Sequence, residues 1–163
     1  MSNQILQAGR ALAVIPSDNA RIPYPQVVVS GSNDDPATNL LVDPNTNDFL
    51  TSGVATGDVV YNITAQLAAT VVRVIDVFTI ELNADIFTTV NDEYIIYQQS
   101  PQTGGGNQGC VLYVGGAGSL QIVTTGFDDV TLVGINAGSF IPIHVVQVKS
   151  AGEGTATSIL ALW

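Results

Sequence analysis

The last third of the chain, residues 110–163, is the part of the sequence that most restricts the fold. Runs rich in β-branched residues, at 120–124, 130–133 and 140–149, are separated by glycine-rich turns. Turns that recur about every eight to twelve residues are typical of all-β domains. The chain ends on the apolar run 159–163. Because termini fray unless they are held by other parts of the fold, this run is predicted to be a packed final strand, against its own domain or a neighbouring subunit.

A second group of strands is predicted between residues 54 and 99, where β-branched and aromatic residues recur at the period of two that strands show. Residues 85–87 are compatible with a single helical turn. Before this group, residues 31–53 are rich in Asn, Asp, Pro and Thr, which favours a long surface loop. The apolar residues 40–42 and 49–50 interrupt this stretch, so we expect the loop to be ordered against another part of the fold. Prolines at 16, 23 and 25 predict an extended N-terminal arm with two short strands.

Residues 100–109 are rich in Gly, Pro, Ser and Gln, which predicts a linker. We therefore predict an all-β fold in which a small β-sandwich or barrel module, formed by residues 1–30 plus 110–163, carries a second small β-barrel-like module, residues 31–109, as an insertion. Helical periodicity is nearly absent, and its best candidate, residues 5–12, is short.

Charge is scarce and strongly unbalanced. Charged residues make up 11 % of the chain, against about 25 % in typical globular proteins. The neutral surface that this composition implies is tolerable in an assembly, where neighbours cover it. The net charge is −10, with Arg10, Arg21, Arg73 and Lys149 as the only Lys or Arg residues. Nucleic acids and anionic membranes are therefore not expected as partners, because both require clustered cations.

A single cysteine, Cys110, excludes a disulfide within the chain. It has no nearby cation to lower its pKa, so it is predicted to be a small buried residue. The N-terminus does not have the basic and long apolar regions of a signal peptide. The longest apolar runs fall well short of the roughly 20 residues that span a bilayer.

Two glycine- or Asx-rich motifs resemble ligand sites. Gly104, Gly106 and Gly109 match the letters of a dinucleotide-binding loop, but a linker precedes them and a strand follows, where the mechanism requires a strand and then a helix. Residues 43–48 resemble the start of a calcium loop that has neither the sharp-turn glycine nor the closing glutamate. A solvated turn is favoured there, and a weak cation site remains an alternative at Asp34, Asp35, Asp43 or Asp48.

No catalytic residue, cofactor or metal is predicted. His144 is the only histidine and lies within a predicted strand, without a Gly-x-Ser-x-Gly elbow in the chain. We interpret it as a sheet-surface or interface residue. The adjacent carboxylates 92–93 and 128–129 point to opposite sides of a strand or lie in turns, so neither pair forms an acid/base dyad. A glycosidase that assembles two distant carboxylates is left open.

Several segments resemble a known family. Residues 13–18, 112–120, 130–132, 137–142, 146–148 and 154–163 are similar to the spike base proteins of tailed-phage and gene-transfer-agent heads, and residues 57–97 look like a module of phage decoration proteins. The resemblance implies a non-enzymatic virion protein, assembled in the host cytoplasm, that decorates or cements the outer capsid surface or forms the base of a head spike. The implied partners are the major capsid protein, further copies of the chain, and a fibre or spike protein.

Two other functions are kept as alternatives: a tail, baseplate or fibre-attachment adaptor, and a carbohydrate-binding β module. Trp163 is equally compatible with an interface anchor and with packing inside the chain. The candidate interface residues are large and apolar and lie in the arm and the last strands: Ile15, Tyr24, Phe140, Ile159, Leu160, Leu162 and Trp163.

Overall fold

A computed structural model describes residues 8–45, 48–99, 109–150 and 154–163 of the chain. Within these ranges there is no helix, and the predicted all-β class is confirmed. The strands are β1 (Ala11–Ala13), β2 (Val27–Ser32), β3 (Leu40–Val42), β4 (Val59–Asn62), β5 (Leu67–Val74), β6 (Thr79–Leu82), β7 (Glu93–Tyr97), β8 (Cys110–Gly116), β9 (Gly118–Thr124), β10 (Asp129–Ile135), β11 (Ser139–Val148) and β12 (Thr157–Leu162).

The strands form two six-stranded antiparallel sheets with separate cores. The first sheet has the order β1-β12-β8-β11-β9-β10, and the second has the order β2-β7-β4-β5-β6-β3. The first sheet therefore combines the start and the end of the chain, while the second sheet is formed by the residues between them.

A long bent hairpin is the basis of the first sheet. One arm of the hairpin consists of β8 and β9, which are joined through Ala117, and the other arm consists of β10 and β11. β10 pairs with β9, with Asp129 opposite Val123, and β11 pairs with β8, with Ser139 opposite Val114. The bend lies at glycines because the backbone of 155–157 crosses there. A Cβ at Gly116 or Gly118 would collide with that segment.

The end of β11 pairs with β9, and β12 pairs with β8. The sheet is thereby curled around one apolar core. Alternate residues of the strands supply this core: Leu112, Val114, Leu120, Ile122, Val145, Val148, Ile159 and Ala161, with Val14, Ile22, Cys110 and Ile141.

The second sheet also curls, because its two edge strands meet. The Val42 N–H donates to Asn33 Oδ1 (3.1 Å), and the Asp34 N–H donates to the Val42 carbonyl (2.8 Å). Its core is dominated by large side chains: Leu41, Phe49, Ile80, Phe87, Tyr94 and Ile96.

Three local expectations differ from the structure. Residues 27–30, which the sequence pattern assigns to the first module, belong to β2 and pair with β7 of the second sheet. The polar stretch 31–53 contains a strand, β3, because Leu41 fills the core. Residues 85–87 form no helical turn; Ile86 and Phe87 are instead buried in the second core. The best candidate for a helix was residues 5–12, and its last two residues belong to strand β1. Residues 5–7 of that candidate and linker residues 100–108 lie outside the described residues.

The N-terminal arm joins the two sheets. Ile15 and Ala20 pack against Val59, Tyr61 and Tyr97 on the outer side of the second sheet. The Ser17 hydroxyl donates to the Ala68 carbonyl at a buried site (2.8 Å). On its other side the arm bonds to β11, where the Ser17 N–H donates to the Val148 carbonyl. β4 is consequently buried on both faces.

Candidate interaction surface

The first sheet carries a row of apolar side chains on the face opposite its core. Ala13 lies opposite Leu160, Leu160 opposite Tyr113, and Tyr113 opposite Phe140. Residues directly opposite each other in antiparallel strands share a face. The row therefore crosses four strands, β1, β12, β8 and β11.

A second, parallel row consists of Ala11, Leu162 and Val111. Alternation along the strands explains why both rows point away from the core. In β12, Ile159 and Ala161 are buried, so Leu160 and Leu162 lie on the opposite side and are only partly buried. We call the seven residues of the two rows the apolar face: Ala11, Ala13, Val111, Tyr113, Phe140, Leu160 and Leu162. Val111 is itself buried, so the surface that a partner can reach consists of the other six.

The aromatic pair is the most prominent part of the apolar face. The ring centroids of Tyr113 and Phe140 lie 5.2 Å apart with an interplanar angle of 60°. Phe140 is 57 % exposed. Gly115, two residues after Tyr113 in β8, and Ser158, which lies next to Gly115, are both small. None of these nine residues is charged. An antiparallel sheet that faced water would normally alternate apolar and polar residues here.

The seven candidate interface residues fall into three groups. Phe140, Leu160 and Leu162 lie on the apolar face. Ile15 and Ile159 are buried in the cores of the chain itself, which makes them unavailable to a partner. Tyr24 and Trp163 contact each other edge-to-face at 5.9 Å.

Trp163 also packs against the first core, and Arg10 lies 5.1 Å from the centre of the Tyr24 ring. Trp163 is therefore packed within the chain but stays partly exposed, and an interface anchor and internal packing both stay predictions. Tyr113 was not among the predicted residues. Its neighbours Leu112 and Val114 occupy the other side of β8, but both alternating sets of this strand are apolar, so the sequence alone does not show that Tyr113 points away from the core.

The predicted chemical sites can be compared with the described residues. Cys110 is buried as predicted, its thiol donates to the Val145 carbonyl (3.4 Å), and burial raises its pKa to about 12. His144 is exposed in the irregular stretch of β11 between Ile141 and Val145. Burial also raises the pKa of Tyr61.

The acidic residues of the calcium-like loop have protein partners. Asp43 is buried and accepts hydrogen bonds from the Tyr94 hydroxyl (2.7 Å) and the Asn45 N–H. Asp48 accepts from the N–H groups of Leu50 and Thr51. Among the described residues, no group of three or more His, Cys, Asp or Glu side chains is arranged to hold a metal ion. Residues 46–47 and most of the 104–109 glycine motif lie outside the described residues.

The paired carboxylates also have separate environments. Asp92 is buried and bonded to Asn62 and Thr89, whereas Glu93 is exposed. Asp129 pairs with Lys149 (2.8 Å), and the hydrogen bond from that ammonium group lowers the pKa of the carboxyl. The described part of the chain contains no helix long and apolar enough to cross a membrane.

Comparison with known proteins adds no relative: no family model, no curated protein and no solved structure matches the chain.

Proposed function

We propose that the protein is a virion structural protein that binds the outer surface of a tailed-phage capsid through the apolar face. The observation that carries this proposal is an uncharged apolar surface, centred on Phe140 and Tyr113, on a chain whose net charge is −10. The resemblance of residues 112–120 and 154–163 to spike base proteins supports the choice of a capsid as the partner.

The physical basis is the burial of apolar area. Removing apolar surface from water contributes roughly 25 cal/mol per Å², and aromatic anchors at the centre of an interface contribute a large part of the binding free energy. The backbone that carries Tyr113, Leu160 and Leu162 is already ordered before binding, because β8 and β12 are each paired on both sides within the sheet. Such preorganisation strengthens binding by lowering its entropic cost.

Non-covalent attachment of this kind stabilises a shell by mass action, because the protein binds the assembled capsid and not its dissociated subunits. The chain requires no catalytic residue or cofactor for this role. The same surface would also suit a tail or baseplate adaptor, which differs from a capsid decoration protein only in its place on the particle.

The test is the binding of purified protein to phage heads assembled without it. Phe140→Ser removes the most exposed aromatic ring of the apolar face, and we expect it to weaken co-sedimentation with heads by at least about tenfold, as for an interface hot spot. Phe78→Ser is the matched control, since Phe78 is also an exposed phenylalanine (44 %) but belongs to the second sheet region. Equal binding of the two variants would contradict the proposal.

Gold-labelled antibody against the protein, applied to intact particles, locates the binding site. Label on heads supports the capsid proposal, label on tails favours the adaptor, and particles without label contradict both. A glycan array tests the carbohydrate alternative. The Tyr113 and Phe140 rings are tilted by 60°, so they do not form the flat platform on which a sugar ring stacks.

A further inference from the structure

The strand β10 ends the first sheet, and its outer edge has no strand beside it among the described residues. β10 pairs with β9 on one side. Its seven residues include no lysine and no proline, two residue types with which proteins usually protect edge strands. Its single charge, Asp129, is already paired with Lys149.

The core side of β10 is also incompletely covered. Val130 lies opposite the buried Ile122, and Leu132 lies opposite the buried Leu120, so both point towards the first core. Val130 is nevertheless 37 % exposed, and Leu132 is only partly buried. The core is therefore open along this edge, where a further strand would close it.

The register shows which backbone groups face outward. The Thr124 N–H donates to the Asp128 carbonyl (3.0 Å), and hydrogen-bonded pairs alternate along an antiparallel ladder. Val130 and Leu132 therefore direct their N–H and C=O groups towards β9, while Thr131 directs its own groups away from it.

We propose that the occupant of this edge is β10 of a second copy of the chain, paired antiparallel about a two-fold axis at Thr131. Val130 then lies opposite Leu132 of the second copy, which closes the open side of both cores. The two Asp129 carboxylates lie about four residues apart, roughly 13 Å at the rise of a strand. This separation exceeds the screening length of about 8 Å at physiological salt, so two acidic chains can pair here without a close like-charge contact.

The bulge of β10 fits this register. It lies between Leu132 and Ile135, with Gly134 at φ 69°, and bulges bend a strand and end regular pairing. The paired segment is accordingly short and centred on Thr131. The apolar face lies on other strands, so this contact and the contact with a capsid can fail independently.

Sedimentation velocity over about 1–100 µM protein tests the proposal, since a dimer's population depends on concentration. We expect the wild type to dimerise. Thr131→Pro removes an N–H that β9 does not use, which an edge strand tolerates, and this variant is expected to stay monomeric with unchanged circular dichroism. Thr131→Val keeps the N–H and should dimerise as the wild type does. If Thr131→Pro lowers the melting temperature, Thr131→Lys replaces it as the deciding variant.

A cross-linking experiment tests the register itself. Across the proposed axis Thr131 faces its own copy with a Cα separation of about 5.5 Å, which a disulfide can bridge. Thr131→Cys should therefore form a covalent dimer on oxidation. Val133→Cys, at the more exposed position (74 %), faces Asp129 of the second copy and should not. A monomeric wild type, a dimer that Thr131→Pro leaves intact, or equal cross-linking of the two cysteine variants would overturn the proposal.

Discussion

At the scale of single residues, Cys110 gives a direct test of the first core. The thiolate is the reactive form of cysteine, and burial raises the pKa of this thiol to about 12. Native protein at pH 8 is therefore expected to react with a thiol reagent at least about a hundredfold more slowly than a free cysteine. In denaturant one thiol per chain should react at once. Rapid labelling of the native protein would contradict the burial of Cys110 at the start of β8.

Sequence patterns predicted some residues and missed others for a physical reason. Cys110 could be predicted as buried because the strand beside it is apolar and has no cation. Tyr113 could not be placed on the apolar face in the same way. In β8 and β12 both alternating sets are apolar, and only the packing of the sheet decides which set points inward.

At the scale of elements, the N-terminal arm is expected to act as a structural link. Ile15 is 8 % exposed and packs on the outer side of the second sheet. Ile15→Ala should lower the free energy of unfolding by about 2–4 kcal/mol, because it leaves a cavity in a closed cluster. The midpoint of urea denaturation, followed by circular dichroism, measures this change.

Ile143→Ala provides the control, since Ile143 is 40 % exposed in β11 and its truncation should cost less than about 1 kcal/mol. Equal losses from the two variants would mean that the arm does not join the sheets as described.

The same arm shows how far elements could be predicted. Its extended form follows from Pro16, Pro23 and Pro25, and its apolar residues imply burial somewhere. Which of the two sheets each segment of the arm joins is decided by pairing with strands that are distant in the sequence, and local patterns do not show this pairing. β2 pairs with β7, more than sixty residues away, so a boundary at residue 30 could not be corrected from local composition. The apolar residues 40–42 indicated order in the polar stretch, but three residues are too few for a period of two to identify β3 as a strand.

At the scale of the whole molecule, the two proposed contacts use different parts of the first sheet. The apolar face lies on β1, β12, β8 and β11, and the free edge lies on β10. A sheet with an unpaired edge at β10, among the described residues, and a partly exposed apolar face is consistent with a chain of low charge that is completed by neighbours. The second sheet, with joined edges and its own core, does not need such completion.

The net charge of −10 predicts how salt affects the isolated protein. Excess charge of one sign destabilises a compact state through self-repulsion, and raising ionic strength from about 0.1 M to 1 M shortens the screening length from about 10 Å to 3 Å. The melting temperature should rise by about 2–4 °C, the shift that corresponds to about 1 kcal/mol for a chain of this size.

Asp35→Lys separates charge screening from general salt effects. Asp35 is exposed, and reversing its charge should raise the melting temperature at 0.1 M salt by more than at about 1 M, where screening is nearly complete. Differential scanning calorimetry of both proteins at both salt concentrations measures the four midpoints. An equal shift at the two concentrations would show that self-repulsion does not limit the stability of this protein.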